Sequence, residues 1–292
     1  MNGKSFPQGF KLKKMCTLEK PLDLKRLKHD LSNSFGYLPA FDIGIDFFPL
    51  FTKKTLSDSF FLEHKNEVVG SIFVKEKTLQ IKSSIFTCLC MGGIFIKKEH
   101  RGKGIFRTFF EKVIKELSDH QNPDFFILWS EQEELYKKFN FFPAGKTYYK
   151  QETTQSKTPE WEVSNLNSLS NNDFNQIKNL WKNKVFKNSF FRTDSDWDEL
   201  KKITSCSIYL KRGKEGLIES YFLMSKGMDL NGIVHEFTDD EQTLSIIKNL
   251  SLISSASIQE GSILIPSCLA RANKTNSLES LKNIYCFGLD CI

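Results

Sequence analysis

The stretch EHRGKGIFRTFF, residues 99–110, places two glycines two positions apart among basic residues, directly before an apolar run. Glycine at such a place indicates a backbone that must bend or must let another molecule approach closely. The preceding GGIFIKK has the composition of a strand, and GIFRTFFEKVIKELSDH has the apolar spacing of a helix. This order predicts an anion site, because free N–H groups and the positive helix end point outward together. A basic turn that caps a helix is the alternative.

Two common phosphate-binding motifs do not fit this loop. The spacing G-x-x-x-x-G-K-S/T of a P-loop is absent. The dinucleotide-binding pattern G-x-G-x-x-G begins at Gly102 and Gly104 but fails at Arg107. The loop therefore needs another explanation.

The charge of the chain is uneven along its 292 residues. Residues 1–150 contain 25 Lys and Arg against 17 Asp and Glu, a balance of +8, and residues 151–292 contain 16 against 18, a balance of −2. A basic first half favours an anionic ligand. Basic residues are not interleaved with aromatic residues over a long stretch, so nucleic acid is a minor alternative, and it predicts strongly salt-dependent binding.

The chain contains seven cysteines, an odd number, spread over its length. Its first ten residues lack the apolar stretch of a secretory signal peptide. Reduced thiols and a cytoplasmic location are therefore expected. Cys88 and Cys90 share one face of a strand, but no second Cys or His pair has ligand spacing, so no metal is expected. No apolar run is long enough to cross a bilayer, so no membrane partner is expected either.

The pattern of apolar residues predicts two similar halves. Residues 1–150 show two helices, four strand-like pieces between 60 and 98, the helix after the glycine loop, a buried strand, a short helix and NFFPAGKTYYK as one closing strand. Residues 151–160 lack apolar side chains and are the predicted linker. Residues 161–292 repeat the order, with a helix over 240–255. Each half is predicted to be an α+β (α/β) domain in which helices flank a mixed central sheet.

Two motifs resemble those of the GNAT superfamily of acyl-CoA-dependent N-acyltransferases. Residues 101–106, RGKGIF, resemble the pyrophosphate-binding pattern R-x-x-G-x-G/A, with Phe106 where Gly or Ala is usual. That side chain either crowds the loop or turns into the core. LWSEQEELYKKFNFF, residues 128–142, resembles the family's second stretch, Y-x-x-x-G-F, with Tyr136, Asn140 and Phe141 at its positions. Asn140 replaces glycine and tolerates the left-handed conformation needed there.

The resemblance implies tandem GNAT-like domains, the first catalytic and the second a degenerate copy that shapes the acceptor pocket. It implies that an amine of a small molecule or a peptide attacks acetyl-CoA directly. Main-chain N–H groups near Phe95 would bond the thioester oxygen, and Tyr136 would protonate the departing thiolate. The implied donor-binding residues are Ile94, Phe95, Ile96, Arg101, Gly102, Lys103, Gly104, Ile105, Phe106, Arg107 and Ser130. A non-catalytic acyl-CoA-binding or regulatory module is the alternative.

The base that accepts the amine proton is not visible in the sequence. Glu131, Glu133 and Glu134 follow a strand, but acidic residues are ordinary at a helix start. Tandem GNAT-like enzymes such as N-myristoyltransferase and the Eis-like aminoglycoside acetyltransferases use the terminal carboxylate, which here belongs to Ile292. In the second half, His235 is expected to be a structural histidine, and the neighbouring Glu236 to face the opposite side. Tyr221 and Asp229 allow either a structural or a pocket role.

Overall fold

The structure of the protein is a computed structural model that describes residues 6–18, 21–145, 147–151, 161–185, 188–238, 243, 253–254, 263–265, 268–274, 278–282, 284 and 290–291. The helices of these ranges are α1 (Pro21–Ser34), α2 (Ile43–Asp46), α3 (Lys53–Asp58), α4 (Ile105–His120), α5 (Glu133–Lys137), α6 (Asn171–Leu180) and α7 (Asp194–Leu200). A π-helical turn, Trp181–Val185, extends α6.

The strands of the described ranges belong to two sheets. They are β1 (Phe10–Lys14), β2 (Phe60–His64), β3 (Glu67–Ile81), β4 (Ser84–Ile96), β5 (Phe125–Leu128), β6 (Phe142–Ala144), β7 (Thr147–Gln151), β8 (Glu162–Asn165), β9 (Phe190–Phe191), β10 (Ser207–Arg212), β11 (Ile218–Met224), β12 (Ile233–Phe237), β13 (Ile253–Ser254), β14 (Ile263–Ile265) and β15 (Cys268–Ala272).

The first sheet has the order β1-β2-β3-β4-β5-β15-β6, and β9 pairs with β3 beside this path. Its neighbours are antiparallel except for β4 and β5, which are parallel. The buried side of α4, including Phe109 and Val113, packs against Ile72 on one face. Leu31 of α1 packs with Phe73 on the other face. The sheet is therefore covered by helices on both faces, as the sequence predicts.

The second sheet has the order β8-β10-β11-β12-β13-β7-β14, which repeats the first. Here β12 and β13 are the parallel pair. The sixth strand of each sheet comes from the other half of the chain: β15 lies in the first sheet and β7 in the second. Neither sheet is therefore built from one side of the predicted linker alone. Residues 152–160 lie outside the described residues, and the domain bounds stay a prediction.

Three sequence predictions about strands and helices are wrong in detail. The four strand-like pieces between 60 and 98 form three strands, because residues 78–81 extend β3 and the chain turns at Lys82 with φ +54°. Residues 142–151 form two strands in different sheets, since Gly145 breaks them with φ +70°. Residues 253–254 of the predicted helix over 240–255 form β13; apart from Thr243, the rest of that helix lies outside the described residues.

The described ranges contain neither a candidate membrane-spanning helix nor a candidate metal site. None of the helices there is both long and apolar enough to cross a membrane. No three His, Cys, Asp or Glu side chains in these ranges converge as metal ligands. Cys88 and Cys90 are both fully buried in the same hydrophobic cluster, on the single face of β4 that their spacing predicts.

Candidate active site

The pairing of the parallel strands β4 and β5 stops before β4 ends, because β5 ends at Leu128. Their pairing runs from Cys88 with Phe125 to Met91 with Leu128, whereas β4 continues to Ile96. A bulge interrupts the pairing of β3 with β4 at the same level, where Gly93 has φ +53° and its carbonyl accepts a hydrogen bond from the Ser71 hydroxyl at 2.7 Å. The last residues of β4 therefore have no strand partner on the β5 side among the described residues.

The glycine loop lies shortly after the end of β4. Gly102 and Gly104 have φ values of +75° and +72°, which favour glycine strongly, and both are exposed. A Cβ atom at either position would have no heavy atom within 4 Å. Gly104 is the N-cap of α4 and provides no side-chain cap. The first N–H groups of α4 therefore remain available beside an open backbone, which is the chemistry of an anion site.

The basic side chains of the loop are exposed, and two of them donate hydrogen bonds to carbonyl groups of the residues just before the loop. The Nε atom of Arg101 donates to the Ile96 carbonyl at 2.7 Å, and the Nζ atom of Lys103 donates to the Glu99 carbonyl at 2.9 Å. Arg107 forms an exposed ion pair with Glu111 at 2.9 Å. Exposed pairs of this kind contribute little to stability. The positive charge therefore stays near the N-terminus of α4 and is accessible to an anion.

Tyr136 lies on α5 with its side chain almost fully buried. Its ring packs edge-on against Phe106 at 6.1 Å and Phe110 at 5.5 Å between centroids. Burial raises the pKa of the Tyr136 phenol well above its usual value, so the hydroxyl keeps its proton at neutral pH. None of the described residues forms a hydrogen bond with this hydroxyl. A protonated, unengaged phenol is the form that a general acid requires.

The two departures from the GNAT motifs have structural explanations. Phe106 is half-buried and turns toward Phe110, Tyr136 and Phe139, away from the open side of the loop. It therefore does not crowd the glycines, and it connects the loop to the tyrosine through ring contacts. Asn140 has φ +63°, the left-handed conformation expected where the family has glycine.

The remaining predicted residues lie at the end of β4 or after β5, apart from Ile292. The side chain of Ile94 is half-buried, and those of Phe95 and Ile96 are buried, so the main chain is the part that β4 offers to a ligand. Ser130 lies two residues after β5, and its Oγ atom accepts a hydrogen bond from the Gln132 N–H at 3.1 Å. The candidate bases Glu131, Glu133 and Glu134 are exposed, and Ile292 lies outside the described residues.

Trp129, the first residue after β5, is a site residue that the sequence analysis missed. Its indole Nε1 atom is buried and has no hydrogen-bond partner among the described residues. Its ring packs against Phe190 at 6.3 Å, on the face opposite α4. The signal was available in the sequence, because a tryptophan, whose ring nitrogen is polar, directly follows a buried strand.

A second missed feature is a group of charges buried between the sheets. Both Nη atoms of Arg192 bind Glu236, at 3.1 and 2.6 Å, and its Nε and Nη2 atoms bind Asp290. Lys77 of the first sheet also binds Asp290 at 2.9 Å, and Tyr221 donates to Glu236 at 2.8 Å. All five side chains are almost fully buried. Tyr221 and Glu236 therefore have structural roles here; a glutamate inside the apolar strand IVHEF was the signal.

His235 is a structural histidine, as expected, with one satisfied ring nitrogen. Its Nε2 atom contacts the Ser225 carbonyl at 3.1 Å, whereas its Nδ1 atom has no partner among the described residues. Burial lowers the pKa of His235 to about 3, so the ring is neutral at pH 7. Glu236 has entirely different partners, in agreement with adjacent residues that face opposite sides of a strand.

Comparison with known proteins identifies the fold. No family model and no curated protein sequence matches the chain. Among solved structures, a probable N-acyltransferase from Enterococcus faecalis matches with a TM-score of 0.62 at 12% identity, over 93% of this chain and 74% of that one. A GCN5-related N-acetyltransferase from Anabaena variabilis matches with a TM-score of 0.59 at 14% identity, over 91% and 73%.

The N-myristoyltransferase of Saccharomyces cerevisiae, solved with bound myristoyl-CoA, matches with a TM-score of 0.60 at 11% identity, over 97% of this chain and 90% of that one. These matches extend over both sheets, so the predicted tandem GNAT-like fold is confirmed. Identities this low show the fold alone. The activity has to be argued from the residues of this chain.

Proposed function

We propose that the protein is an acyl-CoA-dependent N-acyltransferase that transfers acetyl from acetyl-CoA to a primary amine by direct attack in a ternary complex. The observation that carries this proposal is the end of β4, which extends past its pairing with β5 and leads into the glycine loop and the uncapped N-terminus of α4. The uncapped helix N-terminus would provide donors for a pyrophosphate, and the β4 edge that β5 leaves unpaired would line the pantetheine chain. The residues present fit an acyl-CoA donor.

The loop and the start of α4 would hold the pyrophosphate. Gly102 and Gly104 let the backbone approach the phosphates, because no side chain occupies the space above them. The N–H groups of Ile105, Phe106 and Arg107 would donate to phosphate oxygens, and Arg101 and Lys103 would add charge. The hydrogen bond from Arg101 to the Ile96 carbonyl fixes the loop relative to β4.

The end of β4 and Tyr136 would carry the chemistry. Main-chain groups of Ile94, Phe95 and Ile96 lie on the part of β4 beyond the end of β5, where they would orient the thioester and stabilise negative charge on its oxygen. Ser130 would complete the opposite wall. Tyr136 would give its proton to the departing thiolate, since burial keeps the phenol protonated. The second half would shape the acceptor pocket, because such pockets form where two layers meet.

A non-catalytic acyl-CoA-binding module is the competing function. The conformations of Phe106 and Asn140 weigh against it, since both departures from the motif keep the loop and the helix end in working geometry. The two functions differ in a single respect that can be measured, which is turnover.

The experiment is release of free CoA from acetyl-CoA in the presence of a panel of primary amines. We expect turnover with the wild type, and a loss of about 10²–10⁴-fold in kcat for Tyr136→Phe, whose donor affinity should be unchanged. Tyr209→Phe is the matched control, because Tyr209 stacks on Phe222 in the second sheet. Repeating the assay with longer acyl-CoA donors tests the choice of acetyl. Tight donor binding without turnover on any amine would favour the binding module.

A further inference from the structure

Three rings, those of Phe10, His64 and His100, form a ring cluster next to the glycine loop. Phe10 of β1 stacks on His64 of β2, with 4.3 Å between the ring centroids and 19° between the ring planes. His100, the residue before Arg101, stands edge-on to both rings, with its centroid 5.5 Å and 5.2 Å from theirs. Each of the three side chains is half-buried, so part of each stays open to solvent. Neither the proposed pyrophosphate site nor the chemistry at Tyr136 uses this ring cluster.

The pairing of β1 with β2 fixes the positions of the first two rings. Phe10 and His64 are directly opposite each other in this antiparallel pair, and such residues project from the same face of a sheet. The backbone of Gly9, with φ +88°, approaches the imidazole closely, because a Cβ atom there would lie 3.3 Å from the His64 Cδ2 atom. Phe10 also packs against the hydrophobic cluster that includes Phe109 of α4. The ring cluster therefore lies on the sheet face that α4 covers, and α4 begins at the glycine loop.

The two imidazoles of the ring cluster keep their nitrogen atoms free. Neither of them forms a hydrogen bond or an ion pair with the described residues. Burial lowers the pKa of His100, so its ring is neutral at pH 7. The charge of Glu99 opposes this effect of burial, whereas the nearby Lys97 and Lys103 reinforce it. A neutral ring with free nitrogen atoms can stack on a flat heterocycle and form hydrogen bonds with its edge.

The ring cluster and Tyr136 lie on opposite sides of the N-terminus of α4. In the first sheet, β1 and β2 lie on one side of β4, whereas β5 and β6 lie on the other. Tyr136 packs against Phe106 and against Phe141, the residue before β6. In CoA, pantetheine is attached to one end of the pyrophosphate and adenosine to the other. With the thioester beside Tyr136 and the pyrophosphate at the glycine loop, the adenosine would extend toward β1 and β2.

We infer that the ring cluster is a nucleotide subsite, in which the adenine of the CoA donor stacks on the open part of Phe10 and His100. The inference rests on the proposed function and names the part of the donor that the protein recognises. His100 precedes Gly102 by two residues, so one short segment of chain would contact both the adenine and the pyrophosphate. The exposed Lys98 would offer its charge to the 3′-phosphate of the adenosine.

The subsite has a consequence for the class of donor. The phosphopantetheine arm of an acyl carrier protein has the same thioester and pantetheine as acyl-CoA, but it has no adenine. A protein that gains affinity from the adenine therefore selects free acyl-CoA over an acyl group on a carrier protein.

The experiment compares the binding of CoA with that of 4′-phosphopantetheine, which lacks the nucleotide, by calorimetric titration. We expect the wild type to bind CoA at least about 10-fold more tightly. Phe10→Leu should weaken the binding of CoA by about 5- to 100-fold, the range for the loss of one base–aromatic stack, and should leave the binding of 4′-phosphopantetheine unchanged. Phe86→Leu is the matched control, because Phe86 is also half-buried and contacts the ring of Phe125 on the opposite sheet face. This control should leave both affinities unchanged.

His100→Leu keeps the test valid if Phe10→Leu fails to fold. His100 belongs to a short 3₁₀ turn, Lys98–His100, which lies outside the sheet. This variant should also weaken the binding of CoA and leave that of 4′-phosphopantetheine unchanged.

Titration of adenosine 3′,5′-bisphosphate, which has the adenine, the ribose and the 3′-phosphate of CoA, separates this inference from the proposed function. Binding of this nucleotide that Phe10→Leu weakens, without turnover of acetyl-CoA on the amine panel, would support the subsite and contradict the transferase. Equal weakening of CoA and 4′-phosphopantetheine by Phe10→Leu would mean that the rings only hold the loop in place, and it would overturn the inference. Equal affinity of the wild type for CoA and 4′-phosphopantetheine would overturn the inference and leave the donor site standing. No binding of CoA would overturn both.

Discussion

The two sheets have the same strand order, but charged residues in and after the fourth strand differ between them. After β4 in the first sheet, Arg101 and Lys103 are exposed on an open glycine loop. In the second sheet, Glu236 of the corresponding strand β12 is buried and bound by Arg192. Buried paired charges depend on one another, because removal of one partner leaves the other buried without compensation, whereas exposed charges beside free N–H groups are suited to a ligand. The repeated architecture therefore supports one candidate donor site, not two.

The sequences after the two corresponding strands agree with this difference. KKEHRGKGI follows β4, and TDDEQTLSI follows β12. The first is basic and contains two glycines, whereas the second is acidic and contains none. An acidic segment repels phosphate and lacks the residues that let a backbone approach it. The donor site is expected in the first half only.

The largest predicted effect is on stability, from removing the centre of the buried charges. Arg192→Met leaves Glu236 and Asp290 buried without their main partner, and we expect a loss of about 3–5 kcal/mol in the free energy of unfolding. Urea denaturation measures it. Arg26→Met is the matched control, because Arg26 pairs with Glu67 in the open, and it should change stability by about 1 kcal/mol or less. Equal losses for both variants would contradict the claim that loss of a buried charge costs more stability than loss of an exposed one.

The next effect is a pH dependence that arises from His235. Its folded-state pKa of about 3 lies below its ordinary value near 6.5, so below pH 6.5 the unfolded chain binds a proton that the folded chain does not. As the pH is lowered from about 6.5 to 3, the free energy of unfolding should therefore decrease by about 1.4 kcal/mol per pH unit because of this residue. Urea denaturation at several pH values from 7 to 5 gives the slope of the free energy of unfolding against pH. This slope should be shallower for His235→Gln than for the wild type, whereas the exposed His29→Gln should leave it unchanged.

A smaller effect is expected at the bulge in the pairing of β3 with β4. Gly93→Ala would place a Cβ atom 2.6 Å from the Phe73 ring, at φ +53°. Gly36→Ala shares the positive φ, +63°, but has nothing within 4 Å. The first substitution should therefore cost about 1–3 kcal/mol more than the second, because of overpacking. Thermal and urea unfolding compare the two; equal costs would mean that the bulge does not depend on this contact.

The smallest effect on stability is expected in the loop itself. Lys103→Ala removes an exposed side chain, so the free energy of unfolding should change by no more than about 0.5 kcal/mol. Its affinity for acetyl-CoA should fall several-fold, since a charge beside the pyrophosphate is lost. Calorimetry and denaturation of one preparation give both numbers. A stability loss with unchanged affinity would reverse the roles assigned to the two groups of charges.

The sequence allowed the loop to be predicted because its signals are local. Two glycines before an apolar helix imply positive φ and an uncapped N-terminus, and both occur at Gly104. The buried charges could not be predicted in the same way, since Lys77, Arg192 and Asp290 are far apart in sequence and meet only through the packing of two sheets. The exchange of β7 and β15 escaped the sequence analysis for the same reason, because strand pairing across halves leaves no periodic signal.

Asp46 shows the limit of residue-by-residue reasoning. Asp42, Asp46 and Asp58 look alike in the sequence, but only the contacts show that Asp42 caps α2 and that Asp46 is buried beside Gly227 of the other half. Side chains that gain their role from the second half cannot be found from the first half alone.

The most direct test of the central claim is calorimetric titration of acetyl-CoA into the wild type, Gly104→Glu and Gly216→Glu. Both glycines are exposed, have φ values of +72° and +76° and have nothing within 4 Å of a Cβ atom, so the two variants carry the same backbone strain. We predict micromolar binding to the wild type and to Gly216→Glu, and no detectable binding to Gly104→Glu. Absence of binding to the wild type, or equal binding to both variants, would contradict a donor site at the glycine loop.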